Sequence, residues 1–388
     1  MSFDIPNPPF ESAITQTVFE LERLRYFSLK GTTPKWLFFE LKNIMQMLES
    51  LSSARIEGNR TTVMGVVESV IRSDALSEDE QIKEIANIQR AIDFIEERYT
   101  QSQVDGEDFN IDEKFINRLH AISVQGLNRE GSTSPGIFRD SPVAISQSKH
   151  VPPAAGIVPS MMKDLVEFAN KTNMPQQDLL KTAVVHHRLA WIHPYDNGNG
   201  RVTRLVTYAM LVKQGFIDDK GFHILNPTAV FCNDRQQYYD MLAVADDNST
   251  EGIETWCEYV LLGIKAELLK VDQLLDVAFA REQIILPTLL LAREKGWLNL
   301  QEYEIMLIAF DKGLIQAGDV LHIFGTNASA RVQASRVLYR LREQNYLTSH
   351  PENARKYYPR FFNNYLLRGV MAQLEKNNLL PIRDEVTS

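Results

Sequence analysis

Cysteine is scarce: Cys232 and Cys257 are the only two among 388 residues. Two cysteines make neither a disulfide framework nor a zinc-ligand spacing, and their scarcity suits a reducing compartment, so a cytoplasmic location is expected. The chain has no Gly-x-x-x-x-Gly-Lys-Ser/Thr loop and no His-Glu-x-x-His stretch, which excludes the P-loop and zincin routes to phosphate and peptide chemistry. No apolar run reaches the ~20 residues that a membrane-spanning helix needs. The opening, MSFDIPNPPF, lacks a basic region followed by an apolar stretch, so it does not read as a secretory signal. Positive charge is also short. A net charge of −9 excludes a chain that binds nucleic acid along its whole surface and leaves room only for a local basic patch.

What is present is a globular chain with 44% hydrophobic residues, long enough for two or three domains and a sizeable core. Its most informative stretch is His193 to Arg204, HPYDNGNGRVTR. A Gly-Asn-Gly turn lets successive backbone N–H groups converge on an anion. The residues that follow, RVTRLVTYAMLVKQ, have helical periodicity, which puts the turn at a helix N-terminus, where unpaired amides and the helix dipole favour negative charge. Arg201 and Arg204 are three apart on that helix, and arginine suits paired phosphate oxygens. His193 stands across the turn as a group able to accept a proton near neutrality. Each part alone is ordinary turn chemistry; the combination at this spacing is not.

This stretch resembles the signature of the Fic family, His-x-Phe-x-acid-Gly-Asn-Gly-Arg-x-x-Arg, with Tyr195 for Phe and Asn197 where the family has Asp or Glu; the acid here is one place earlier, Asp196. The resemblance implies transfer of AMP from ATP to a hydroxyl side chain of a protein, the chain itself included. His193 would be the general base. Gly198, Asn199 and Gly200 would hold the α-phosphate, and Arg201 and Arg204 the terminal phosphates. Mg2+ would bridge phosphates with Asn197 or Asp196 as its protein ligand, and an aromatic at Tyr238 or Tyr239 would lie against the base.

A second stretch, SSARIEGNRTT, ends a helical run at Glu57-Gly58-Asn59. Glycine and asparagine tolerate the left-handed conformation that closes helices, and a glutamate in the last turn calls for a cationic partner. It is similar to the inhibitory motif of Fic proteins, Ser/Thr-x-x-x-Glu-Gly/Asn, with Ser53, Glu57 and Gly58 in place. The resemblance implies that Glu57 pairs with Arg204 and keeps it from the nucleotide. Residues 131–159, rich in Gly, Ser and Pro around two short apolar runs, read as a β-hairpin or extended flap; in Fic proteins this flap aligns the target. His186 and His187 point ~100° apart on a helix and do not converge on a metal.

The last hundred residues read as three helices and two strands around a His-Pro-Glu-Asn turn, an order that resembles a winged helix. From Lys312 to Arg368 there are nine Lys/Arg and three Asp/Glu, a local balance of +6, the charge footprint of DNA binding. Arg331, Arg336, Arg340, Arg355 and Lys356 are the candidate DNA contacts.

The expectation is therefore a mainly α protein: a Fic-type helical domain with a short β-hairpin flap, and a C-terminal winged-helix domain. Residues 1–105 form the N-terminal helical region with an inhibitory helix near 45–60, 106–265 the catalytic core, and 266–388 the C-terminal domain. The expected function is an autoinhibited protein adenylyltransferase, with ATP and Mg2+, a hydroxyl-bearing protein target, no membrane, and a homodimer as the family often forms. The alternatives are a related transferase or de-AMPylase on the same scaffold, and a DNA-binding regulator with a sensory or inactive Fic domain.

Overall fold

The computed structural model describes residues 3–25, 33–72, 79–145, 148–216, 229–326, 329–382 and 384. They are mainly helical and divide into two compact units: Met1–Lys30, Met45–Thr61 and Leu76–Val271 in the first, and Gly31–Ile44, Thr62–Ala75 and Asp272–Ser388 in the second. In chain order the helices begin with α1 (Ala13–Arg23), α2 (Lys35–Ile56), α3 (Val63–Arg72), α4 (Glu80–Asp105) and α5 (Glu113–Ser123). Next come α6 (Val158–Asn170), α7 (Pro175–Ile192), α8 (Asn199–Lys213), the short α9 (Ala229–Cys232), α10 (Arg235–Ala245) and α11 (Thr250–Leu274).

The first unit is built around α7 and α8. From Arg201 to Val212 every side chain of α8 is buried, the mark of a helix enclosed by others. Two of its threonines bond within the helix: Thr203 donates to the Asn199 carbonyl and Thr207 to the Thr203 carbonyl, each at 2.9 Å. Trp256 of α11 is fully buried and donates its indole N–H to the Ala183 carbonyl of α7 at 2.7 Å. Sequence marks the helix starts: Asp79, Asp112 and Asp234 cap α4, α5 and α10 through their carboxylates, each satisfying an N–H left open at a helix start.

The second unit continues with α12 (Val277–Phe279), a π-helical turn (Ala280–Ile285), α13 (Leu286–Glu294), α14 (Leu300–Lys312), a 3-10 helix (Ala317–Phe324), α15 (Ala330–Glu343), strands β1 (Leu347–His350) and β2 (Asn353–Pro359), and α16 (Leu366–Lys376). The strands pair antiparallel, with Leu347 opposite Pro359 and an irregularity between Ser349 and His350. Ile315 adds a further antiparallel bridge to Tyr357. Within the unit, Trp36 meets Phe310 edge-on at 5.4 Å, and the buried Glu40 carboxylate accepts the N–H groups of Phe361 and Phe362 at 2.7 and 2.8 Å.

Two expectations change. The described residues of the flap carry no strand: among the described residues the only strands are β1 and β2. The second C-terminal helix is a 3-10 helix.

Candidate active site

His193 ends α7 in the left-handed region, φ 50° and ψ 61°, an unusual conformation for a residue with a side chain. Its Nδ1–H donates to the Ala190 carbonyl at 3.3 Å, which leaves Nε2 as the ring's lone-pair nitrogen. Burial, opposed by that hydrogen bond, pulls the imidazole pKa down to about 4. The ring is therefore neutral at pH 7 and a proton acceptor.

The turn after it is closed on itself. Tyr195 N–H donates to Asn199 Oδ1 and Asn199 Nδ2 donates back to the Tyr195 carbonyl, both at 2.9 Å. Gly198 sits at φ +75°, and a Cβ there would strike Val124. The amides that remain to meet an anion are those of the first turn of α8, which have no carbonyl within the helix to bond. The Asn199 side chain, expected at the α-phosphate, is instead the clasp of the turn.

Arg204 is buried and held by the C-terminal end of α2. Its Nε donates to Ser53 Oγ at 3.0 Å, and its Nη2 to the Ser53 carbonyl at 3.0 Å and to Glu57 Oε1 at 2.6 Å. Burial raises the Glu57 pKa, but the charges of Arg204 and Arg201 and the hydrogen bond outweigh it and hold the carboxyl below its usual range. α2 closes here with Gly58 N–H on the Arg55 carbonyl and Asn59 N–H on the Ala54 carbonyl, a Schellman closure that needs a residue such as Gly58 at φ +96°. The same Glu57 carboxylate stands against Gly200, so that a side chain at position 200 would run into it.

Arg201 does not join Arg204. It is fully buried, donating to the Glu130 carbonyl at 2.6 Å and the Ser123 carbonyl at 3.4 Å, with the Glu84 carboxylate at 3.4 Å. Glu84 also accepts from Asn59 at 2.9 Å. Glu84 went unread in the sequence, although a carboxylate on the apolar face of α4, in register with Ile88, Ala91 and Ile95, marks a buried partner.

Neither proposed metal ligand fits Mg2+. Four donors occupy Asp196: Ser132 Oγ and Asn197 N–H on one oxygen, Thr133 N–H and Oγ1 on the other, at 2.5, 2.9, 2.9 and 2.6 Å. Burial raises its pKa, but these bonds prevail and hold it low. Asn197 Oδ1 accepts from Gly198 N–H at 2.7 Å. Mg2+ is held by one or two carboxylates together with phosphates and waters in near-octahedral array, and Asp196 would have to give up donors to serve it. Asp196 is instead the fastener of the flap.

Tyr238 is buried and bonded to His186 Nε2 at 2.9 Å, while His186 Nδ1 meets Thr207 at 2.7 Å. Thr207 donates onward to Thr203, so Nδ1 carries the proton and Tyr238 donates to Nε2. Tyr239 is half-buried with Arg235 over its ring at 5.5 Å, so only Tyr239 keeps surface for a base. His120 is the other residue the sequence left unmarked. Its Nδ1 accepts from Gly136 N–H at 2.8 Å, its Nε2–H donates to the Asn197 carbonyl at 3.0 Å, and its ring stacks on Tyr195 with centroids 3.8 Å apart.

Residues 110–211 match the model of the Fic/DOC family. These residues form a Fic domain. The Fic domain and its surroundings are 29% identical over 199 residues to the protein adenylyltransferase Fic of Aedes aegypti, a match covering 50% of this chain and 36% of that protein. A probable protein adenylyltransferase of Aquifex aeolicus is 28% identical over 126 residues, 32% of this chain and 35% of its own. The chain thus spans about a third of the length of the curated relatives it matches. A crystal structure of a Fic family protein from Desulfovibrio desulfuricans G20 shares the fold with TM-score 0.56 at 20% identity, over 91% of this chain and 97% of that one. Fic-1 from C. elegans does so with TM-score 0.52 at 19% identity, over 66% and 71%.

In the second unit, Arg331 and Arg336 lie on the exposed face of α15, and Arg355 and Lys356 are exposed or half-exposed on β2. Arg340 is drawn to Glu302 at 2.6 Å and Arg342 to Glu343 at 2.6 Å, so these two are partly neutralised.

Proposed function

We propose that the chain is a protein adenylyltransferase, moving AMP from ATP to a protein hydroxyl, and that it is held inactive by its own Glu57. The observation that carries this is the Arg204–Glu57 contact at 2.6 Å, with the carboxylate against Gly200 in the first turn of α8. A helix N-terminus beside a buried arginine is an anion site, and a carboxylate standing in it competes with phosphate. In the reaction, His193 Nε2 takes the proton of the acceptor hydroxyl, whose oxygen attacks the α-phosphorus. The bond to the pyrophosphate breaks, and the amides of the α8 N-terminus stabilise the charge that builds on the α-phosphate oxygens. Arg204, freed from Glu57, supports the leaving pyrophosphate. Mass spectrometry of protein incubated with ATP tests the reading: an added AMP supports it, while an added phosphate assigns the scaffold to a different transfer.

A second reading concerns the second unit. The order α14, 3-10 helix, α15 and hairpin supports a winged helix, and the exposed Arg331 and Arg336 of α15 with Arg355 and Lys356 of β2 support duplex DNA as its ligand. Such binding weakens steeply with salt, and replacing one phosphate-contacting arginine lowers the logarithmic salt slope by about one. A mobility shift of the full chain that salt does not weaken, or that survives the double change Arg331→Ala, Arg336→Ala, contradicts it.

A further inference from the structure

Arg139 is a buried cation, 6% exposed, whose hydrogen-bond partners are main-chain carbonyls. Its Nε donates to His193 O at 2.8 Å, Nη1 to Ser141 O at 3.1 Å, and Nη2 to Pro153 O at 2.5 Å and to Ile192 O at 3.5 Å. Its own N–H donates to Pro194 O at 2.9 Å. Two of these carbonyls, Ile192 and His193, close α7, where the last carbonyls lack intrahelical donors and the dipole favours a positive charge. The other two, Ser141 and Pro153, belong to the flap itself, one on its first limb and one on its second.

His193 needs such support. A non-glycine residue at φ +50° that precedes a proline is held away from its preferred extended backbone, and such conformations persist only where the surroundings over-determine them. Here the His193 carbonyl is fixed by Arg139, its N–H by the Leu189 carbonyl, and its ring by Ala190. The guanidinium is planar, so its donors reach the base and both flap limbs in one fixed geometry. An ammonium on a flexible stem cannot reproduce that fork.

We propose that Arg139 is a positioning residue that locks the His193 backbone to both limbs of the flap, and so sets the distance between the base and the segment that presents the acceptor hydroxyl. This rests on the transfer reading above for its kinetic consequence. Arg139 makes its bonds away from the Arg204–Glu57 contact, so its loss falls on the chemical step rather than on nucleotide affinity.

The test uses the full chain carrying Glu57→Gly, compared with the same chain carrying Arg139→Lys or Arg139→Ala. Both variants lower kcat by about 10- to 100-fold, the penalty of a small misplacement of a reacting group, while KM for ATP stays within about twofold. Added guanidinium at millimolar concentration restores part of the Arg139→Ala rate but none in His193→Ala. A readout independent of transfer is the imidazole 15N spectrum: the parent shows His193 protonated on Nδ1, and Arg139→Ala mixes the tautomers. Unchanged kcat, a loss carried in KM, or a His193 spectrum untouched by Arg139→Ala overturns the proposal. Unfolding of both variants overturns it too, assigning Arg139 to stability. A chain that transfers no AMP but shows the tautomer change refutes the transfer reading and leaves the positioning role standing.

Discussion

Glu57 Oε1 and Arg204 Nη2 lie 2.6 Å apart although 147 residues separate them, and Ser53, one helical turn before Glu57, takes two further bonds from the same guanidinium. Three donors of the arginine that an anion at the α8 N-terminus would need are thus taken by one end of one helix. Removing either partner of this cluster has different consequences, which separates a brake from a structural strut.

Loss of the carboxylate releases one donor and the charge of the guanidinium and opens the space against Gly200. ATP affinity, read by calorimetry, is expected to rise about tenfold or more in Glu57→Gly, the ~1.4 kcal/mol equivalent of one charge-assisted contact. Ser53→Ala leaves the carboxylate in place and raises it by no more than about threefold. Equal affinity in parent and Glu57→Gly contradicts the competition.

Glu84 acts on Arg201 as a buried counter-ion. Glu84→Leu leaves a fully buried guanidinium that keeps its bonds to the Glu130 and Ser123 carbonyls but has the more distant Glu130 carboxylate, at 3.8 Å, in place of the Glu84 one. Breaking a buried pair costs ~3–5 kcal/mol, and the urea midpoint should fall accordingly. A change below about 1 kcal/mol would place Arg201 in contact with water.

Asp196 fastens the flap. Asp196→Asn replaces a doubly bonded oxygen with an amide that faces donors, so limited proteolysis between residues 131 and 145 should accelerate several-fold. The Mg2+ concentration for half-maximal activity should stay within about twofold, because the oxygens now bonded to Ser132 and Thr133 are not metal ligands. A tenfold change in that requirement with unaltered proteolysis reverses the assignment.

His120 and His193 give stability a defined dependence on pH. Burial lowers both to about 4, below the ~6.5 of an unfolded histidine. Between these values the unfolded chain binds protons that the folded chain refuses, so their contribution is complete above ~6.5 and is lost as pH falls toward 4. Each fully shifted histidine adds a slope of about 1.4 kcal/mol per pH unit in that window. The buried carboxyls of Glu40 and Glu84, both raised by desolvation, push the other way. The comparison is therefore with His120→Gln: its stability should fall less steeply than the parent's from pH 6.5 to 4.5. Parallel curves contradict a neutral buried His120.

Much of this molecule is legible in the sequence where the signal is local. The helices around the signature follow from their periodicity, and the β1–β2 turn from His350-Pro351-Glu352-Asn353. What depends on folding is not legible. Arg201 and Arg204 look equivalent at three-residue spacing, yet Glu84 and Glu130 take one and Glu57 the other. Asp196 reads as a free carboxylate until Ser132 and Thr133, more than sixty residues earlier, are folded against it. Flap segments that look ready to pair as strands are bonded instead to Asp196, His120 and Arg139.

The most direct measurement is covalent label from α-labelled ATP, on the chain or on added lysate, in three forms: parent, Glu57→Gly, and Glu57→Gly with His193→Ala. The account predicts little label in the parent, strong label in Glu57→Gly, and loss to background with His193→Ala, since a positioned base contributes ~10²–10⁴ in rate. Equal labelling of parent and Glu57→Gly, or label that survives His193→Ala, contradicts it.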